Sequence, residues 1–160
     1  MTKAKKKILI DLDVVTVAFW DYKGDNVEIA RKFIERIENG EFYVGTPFLI
    51  IEVVLKWKHE SLKRNIEEFY VRYSNKLFTD TEIKEKCIEM NVNYEYALSK
   101  LADAGIKRED AALVLVASLF SFDYLVTFNR IHLKNNKGEA NKILKECNLP
   151  TIEIAGPEEL

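Results

Sequence analysis

Short apolar segments alternate with longer amphipathic segments along most of the chain, and this alternation constrains the fold more than any other feature. The short segments are residues 7–11, 41–45, 124–127 and 151–154. A brief apolar run bounded by turn residues is typical of a buried parallel strand. With helices between such strands, the sequence predicts a three-layer α/β/α fold with a mostly parallel central sheet of four to five strands.

The intervening segments repeat apolar residues at helical spacing. We predict helices over residues 26–38, 46–58, 61–73, 79–91, 94–104, 107–120 and 138–147. For the second of these, Thr46 is the predicted N-cap and Pro47 the first helical residue. The sequence has no internal repeat and no linker composition, so we expect residues 1–160 to form a single domain.

Charge and composition exclude several classes of protein. The formal net charge is −2, so a nucleic-acid ligand would need a local basic patch or metal ions. The two cysteines, Cys87 and Cys147, lack metal-site spacing and indicate reduced thiols in a cytoplasmic protein. The longest apolar stretch, residues 111–120, is too short to span a bilayer. We therefore expect a soluble protein with no membrane partner.

Carboxylates occur where the predicted fold would place a ligand. Ligands of open parallel sheets bind at the carboxyl ends of the strands. Asp11 ends the first predicted strand, and Thr127 and Asn129 end another. Glu52 lies in an apolar stretch of the predicted helix after the second strand, and Asp110 begins the apolar helix before residue 124.

Carboxylates in such apolar surroundings are costly unless a cation meets them. Burial penalises the charged form, and converging carboxylates repel one another. A hard divalent cation removes both problems, because Mg²⁺ accepts a few carboxylate oxygens and keeps waters for substrate phosphates. The sequence therefore predicts a carboxylate–metal site for phosphoester chemistry.

Four motifs in order resemble the PIN-domain family, which includes the VapC-like toxins of prokaryotic toxin–antitoxin pairs. They are Ile8-Leu9-Ile10-Asp11-Leu12-Asp13, Thr46-Pro47 followed by Glu52, Glu109-Asp110-Ala111-Ala112-Leu113, and Asp123-Tyr124-Leu125-Val126-Thr127-Phe128-Asn129. The resemblance covers nearly the whole chain. It implies an endoribonuclease that hydrolyses RNA phosphodiesters with a metal-activated water, uses Mg²⁺ or Mn²⁺, forms homodimers and has an antitoxin protein as a partner.

The resemblance also implies roles for individual residues. Asp11, Glu52 and Asp110 fall on the family's three main acidic positions, as catalytic residues and metal ligands. Asn129 stands where many members carry a fourth acid, and Asp13 where Asn, Ser or Thr is common. Asp13, Thr127 and Asn129 are therefore auxiliary candidates. Arg130 and His132, near the end of the predicted strand, are candidates for contact with an RNA phosphate.

Each candidate residue also has a purely structural interpretation. Asp11 or Asp13 could cap a helix, Glu52 could form an ion pair, and Asp110 could favour a helix dipole. Thr127 could simply end a strand, and Asn129 could simply shape a turn. One shared metal site explains the three main acids together, whereas separate structural roles require three coincidences.

Two other functions compete with the ribonuclease. Asp11-Leu12-Asp13 after an apolar strand resembles the first motif of haloacid-dehalogenase-type phosphatases, in which the first Asp is a nucleophile. The later acidic pair of that family is missing, and Glu52 and Asp110 would have no role. The second alternative is a catalytically weak PIN-like module that binds RNA or a protein partner, which Asn129 favours.

Overall fold

The computed structural model describes residues 4–20 and 24–160 and contains an all-parallel five-stranded sheet. The strands are β1 (Lys6–Ile10), β2 (Phe42–Pro47), β3 (Lys76–Phe78), β4 (Tyr124–Val126) and β5 (Glu153–Ala155). Their spatial order is β3-β2-β1-β4-β5, and each neighbouring pair is parallel. This confirms the predicted α/β fold with a parallel central sheet.

Eight α-helices connect and cover these strands in the described residues. They are α1 (Leu12–Phe19), α2 (Asp25–Glu38), α3 (Phe48–Leu55), α4 (Glu60–Tyr73), α5 (Asp80–Glu89), α6 (Tyr94–Asp103), α7 (Arg108–Leu119) and α8 (Lys137–Glu146). Helices α1 to α4 pack on one another, whereas α5, α6 and α8 pack around α7. Because parallel crossovers are right-handed, the first group covers one face of the sheet and the second group covers the other.

The centre of the molecule is formed by β1 and α7. Ile8, Leu9 and Ile10 are buried on both faces of the sheet, as expected for a central parallel strand. Helix α7 packs against both β1 and β4, and its residues from Ala111 to Leu119 are all buried. A helix that is apolar on every side is stable only in such an interior position. This burial fixes the first turn of α7, which carries Asp110, against the sheet.

The start of α3 differs from the prediction. Thr46 lies within β2, where it is paired with Leu77 of β3, and its hydroxyl group is 2.7 Å from the Ser74 hydroxyl. The N-cap is Pro47, which makes no side-chain cap, and α3 ends at Leu55 instead of continuing to residue 58. Pairing with β3 keeps Thr46 in the sheet and delays the helix.

Two elements were not among the predicted helices and strands. Strand β3 has only three residues at the sheet edge, so its sequence shows no clear periodicity. Helix α1 begins directly after Asp11, in a segment that is apolar at nearly every position. In the described parts of the chain, none of the helices combines the length and apolar character needed to cross a membrane.

Candidate active site

The carboxyl ends of β1 and β4 are adjacent at the point where the strand order reverses. The chain runs outward from β1 to β2 and β3, and then returns to β4 on the other side of β1. Ile10 is in register with Val126, and the Asp11 amide donates to the Val126 carbonyl at 2.8 Å. Asp11 and Thr127 therefore leave neighbouring strands at the switch point, where parallel sheets bind their ligands.

The Thr127 side chain joins two aspartates. Its buried hydroxyl lies 2.8 Å from Asp11 Oδ2 and 3.3 Å from Asp13 Oδ2. Because a hydroxyl group has one proton, the shorter contact with Asp11 is the better hydrogen bond. The Phe128 amide donates to Asp13 Oδ2 at 3.1 Å. Asp13 is thus fastened to the end of β4 and is not the cap of α1.

The two carboxyl oxygens of Asp11 have different partners. One carboxyl oxygen, Oδ1, accepts from the Leu12 amide at 2.8 Å, so Asp11 is the N-cap of α1. Its other oxygen accepts from Thr127. The interpretation of Asp11 as a helix cap is therefore confirmed. Capping does not explain why Asp13 and Asp110 are also acidic residues in this part of the fold.

Asn129 links the end of β4 to Asp110 on α7. The Asn129 amide nitrogen donates to Asp110 Oδ2 at 3.3 Å, and Asn129 Oδ1 accepts from the His132 amide at 3.0 Å. The Asn129 backbone amide also donates to the Thr127 hydroxyl at 2.9 Å. Asn129 therefore shapes the turn after Thr127 and contacts an acidic residue at the same time.

The three aspartates have raised pKa values. Burial raises the pKa of Asp13 from 3.8 to about 7, with the Asp11 charge as the second cause. Burial likewise raises the pKa of Asp11 from 3.8 to about 6; the hydrogen bond from Thr127 opposes this rise, and the Asp110 charge adds to it. Burial also raises the pKa of Asp110, and the charge of His132 opposes that rise. Burial is the largest cause of all three shifts, so the ionised carboxylates are poorly solvated in the folded protein.

One oxygen of this cluster has no partner. Asp13 Oδ1 is shielded from solvent and makes no hydrogen bond with the described residues. A divalent cation would satisfy this oxygen and offset the charges around it, so the chemistry of the donors fits Mg²⁺ or Mn²⁺. Within residues 4–20 and 24–160, however, no three His, Cys, Asp or Glu side chains form a ready-made metal-binding group. These residues therefore suit a cation that takes only a few protein ligands. Mg²⁺ commonly binds in this way, with waters and substrate phosphates as its other ligands.

Glu52 lies outside the hydrogen-bonded cluster. It is on an exposed face of α3, so the premise that its carboxylate is buried in an apolar helix is wrong. The burial of α3 instead falls on Ile50, Ile51 and Val54. Glu52 and Glu109 line a separate pocket of about 330 Å³ with residues of α5, α6 and α7. The assignment of Glu52 as a metal ligand stays a prediction.

A second pocket, of about 500 Å³, opens beside the aspartates. Two site residues, Thr127 and Asn129, line it, and the other lining residues are Asn26, Phe128, Arg130, Ile131, Lys134 and Glu158. Arg130 is exposed, whereas Lys134 is paired with Glu158 and Glu159. His132 does not line this pocket; its Nδ1 is 3.4 Å from the Gly105 carbonyl oxygen. Arg130 is therefore better placed than His132 to meet a phosphate in the pocket.

Tyr70 is a core residue that also contacts the strand leading to Asp11, a contact that the sequence did not indicate. Its buried hydroxyl donates to the Ile10 carbonyl at 3.2 Å, one residue before Asp11. Burial, followed by the charges of Asp11 and Asp13, raises the pKa of Tyr70 well above its ordinary value. No local pattern in α4 distinguishes this tyrosine from the neighbouring aromatic residues.

Comparisons with known proteins support the fold only. No protein-family model matches the sequence, and no curated protein matches it. Among solved structures, the chain is similar to a chain in the crystal structure of VapBC2 from Rickettsia felis bound to a DNA fragment from their promoter. The TM-score is 0.57 at 12% identity, over 94% of this chain and 98% of that chain. The two chains share an architecture over almost their whole lengths.

Proposed function

We propose that this chain is a metal-dependent endoribonuclease of the PIN type and the toxin of a toxin–antitoxin pair. The observation that carries the proposal is the group of Asp11, Asp13 and Asp110 at the switch point of a parallel sheet, with raised pKa values and a buried unpartnered oxygen. An acidic site of this kind, placed where α/β sheets bind ligands, suits a cation that in turn binds phosphate.

Asp11 and Asp110 would hold the cation, and Glu52 is the predicted third ligand. When bound, a divalent cation supplies Lewis-acid chemistry: it activates water for in-line attack and stabilises the charge that develops on the phosphate. No protein nucleophile is required in this proposal. Thr127 fixes one oxygen of Asp11, and Asn129 fixes one oxygen of Asp110, so these two residues orient the carboxylates.

Arg130 provides positive charge next to the acidic group. It lines the pocket that Thr127 and Asn129 share with the site, and its side chain is exposed. An exposed guanidinium group binds phosphate oxygens well, because its N–H groups form paired hydrogen bonds. In the proposed function, an RNA strand crosses the aspartates with a neighbouring phosphate in this pocket.

The proposed partners follow from the resemblance and from the structural neighbour. The neighbour is a VapBC2 complex bound to promoter DNA, which supports an antitoxin protein as the partner of this chain. We also propose a two-fold homodimer, which would use a self-complementary surface patch.

A non-cutting module of the same fold is the second candidate function. Two observations favour it: the described residues contain no ready-made group of three metal ligands, and Asn129 offers Asp110 an amide where many PIN domains have an acid. Such a module would bind RNA or a protein partner without hydrolysis.

The direct test is cleavage of a mixed RNA pool by the purified full chain, with and without EDTA, followed by addition of Mn²⁺. Asp11→Asn removes the charge at nearly constant shape, and Asp103→Asn is the matched control because Asp103 is an exposed aspartate on α6. We expect cleavage by the parent and by Asp103→Asn, loss of cleavage in EDTA and in Asp11→Asn, and recovery with Mn²⁺.

Other outcomes would replace this proposal. RNA binding without cleavage under any metal condition would favour the non-cutting module. Hydrolysis of a small phosphomonoester that is lost in Asp11→Asn would favour the phosphatase. Normal RNA cleavage by a folded Asp11→Asn protein would exclude the proposed site.

A further inference from the structure

The Asp13 carboxyl group is rigidly held, but only on one side. Its Oδ2 atom accepts from the Phe128 amide at 3.1 Å and lies 3.3 Å from the Thr127 hydroxyl. Both contacts come from the end of β4, and both engage Oδ2 and not Oδ1. A carboxylate that served only to fasten α1 to β4 would need no further partner.

Asp13 Oδ1 nevertheless lies where water does not reach it and makes no hydrogen bond with the described residues. Addition of a proton to Oδ1 does not satisfy it, because the resulting O–H group would need an acceptor that these residues do not supply. A cation does satisfy it, since a carboxylate oxygen bonds a metal ion directly. A ligand of positive charge would therefore give this oxygen a partner.

The position of Asp13 beside Asp11 makes one shared cation possible. Both carboxyl groups contact the same Thr127 hydroxyl, Asp11 at 2.8 Å and Asp13 at 3.3 Å. On the β4 side of the site, Asn129 presents a neutral amide to Asp110. The negative charge of the group therefore comes from Asp11, Asp13 and Asp110, and residue 129 adds none.

We propose that Asp13 is a direct ligand of the divalent cation, together with Asp11, and not merely an outer partner of the metal site. This inference rests on the proposed function, because it concerns the cation that the ribonuclease requires. It assigns Asn129 the role of orienting Asp110 instead of adding charge. Asp13 joins Asp11 and Asp110 in this set, and a few carboxylates with waters and substrate phosphates are sufficient for Mg²⁺ or Mn²⁺.

The experiment measures metal binding by the full chain in the absence of RNA. Titration calorimetry with MnCl₂ compares the parent, Asp11→Asn, Asp13→Asn and the control Asp103→Asn. A second series uses Asp13→Cys and Asp103→Cys with CdCl₂, because a thiolate is a soft ligand that suits a soft metal. A thiolate bound directly to Cd²⁺ produces a ligand-to-metal charge-transfer band in the ultraviolet. The parent supplies the background from Cys87 and Cys147.

We expect Asp13→Asn to weaken Mn²⁺ binding at least about tenfold, as loss of a charged ligand would. We also expect Asp13→Cys, but not Asp103→Cys, to show a Cd²⁺ band above the parent's background. Unchanged Mn²⁺ affinity in Asp13→Asn, with binding lost in Asp11→Asn, would overturn this inference alone. Weakened Mn²⁺ binding with no new Cd²⁺ band in a folded Asp13→Cys protein would overturn direct ligation, since outer partners of metal sites also change affinity. No Mn²⁺ binding by the parent would instead overturn the proposed function.

Discussion

The raised pKa values make the metal-free protein less stable as the pH increases. The ordinary pKa of an aspartate is 3.8, and the folded state raises it to about 6 for Asp11 and about 7 for Asp13. Between these values the folded state binds more protons than the unfolded state, so the free energy of unfolding falls with increasing pH. The loss begins near the unfolded pKa and is complete once the pH exceeds the folded pKa of Asp13.

Replacement of Asp13 by Asn isolates most of this effect. The pKa of Asp13 rises by about three units, and each unit corresponds to about 1.4 kcal/mol. At pH 8, ionised Asp13 therefore lowers the free energy of unfolding by about 4 kcal/mol. At pH 5 the reduction is less than half of that. The Asn side chain can still accept from the Phe128 amide, but its amide nitrogen can lack an acceptor, at a cost of about 1–3 kcal/mol at either pH. Because that cost does not depend on pH, the advantage of Asp13→Asn over the parent should grow by about 2–3 kcal/mol from pH 5 to pH 8.

The assay is urea unfolding in EDTA at pH 5, 6, 7 and 8, followed by circular dichroism. The Asp103→Asn control removes the same formal charge from an exposed position and should follow the parent at every pH. If the stability difference between Asp13→Asn and the parent stays constant from pH 5 to pH 8, folding does not raise the pKa of Asp13.

Three further predictions concern neighbouring features. Asn129→Asp adds a negative charge next to Asp110 and should tighten Mn²⁺ binding in calorimetry; equal affinities would place Asn129 beyond the reach of the metal. Tyr70→Phe leaves the buried Ile10 carbonyl without its donor, and urea unfolding should show a loss of about 1–2 kcal/mol, whereas no loss would mean that the hydrogen bond contributes nothing. Sedimentation analysis at tens of micromolar should show a dimer, and a monomer there would contradict the proposed self-association.

The central strands could be predicted because they are short and almost wholly apolar. Residues Ile8–Ile10, Leu125 and Val126 are buried on both faces of the sheet. Strands buried in this way consist almost entirely of apolar residues, so the sequence reveals them. Strand β3 could not be predicted in this way. It has three residues at the edge of the sheet, and its pairing with β2 depends on the position that α4 imposes. The Thr46 cap failed for the same reason, since pairing with β3 holds Thr46 in the sheet.

The site was predictable only where topology brings residues together. Asp11 and Thr127 follow adjacent strands, so the parallel order alone places them side by side. The sequence does not reveal the orientation of a helix about its own axis when nearly all of its residues are apolar. Helix α3 is apolar at seven of its eight positions, FLIIEVVL, so the sequence could not show that Glu52 faces outward. The contact of Tyr70 with Ile10 spans 60 residues of sequence, and nothing in the local pattern indicates it.

The proposed metal centre places a divalent cation at Asp11, at the switch point of the sheet. Anomalous diffraction from crystals of the full chain soaked in MnCl₂ locates Mn²⁺ without any assumption about its ligands. We expect a peak within coordination distance, about 2.1 Å, of carboxyl oxygens of Asp11 and Asp110, with Asp13 as a further ligand. A well-occupied peak bound only at Glu52 and Glu109, or no peak at Asp11 in crystals that leave the site accessible, would rule out a metal centre at Asp11.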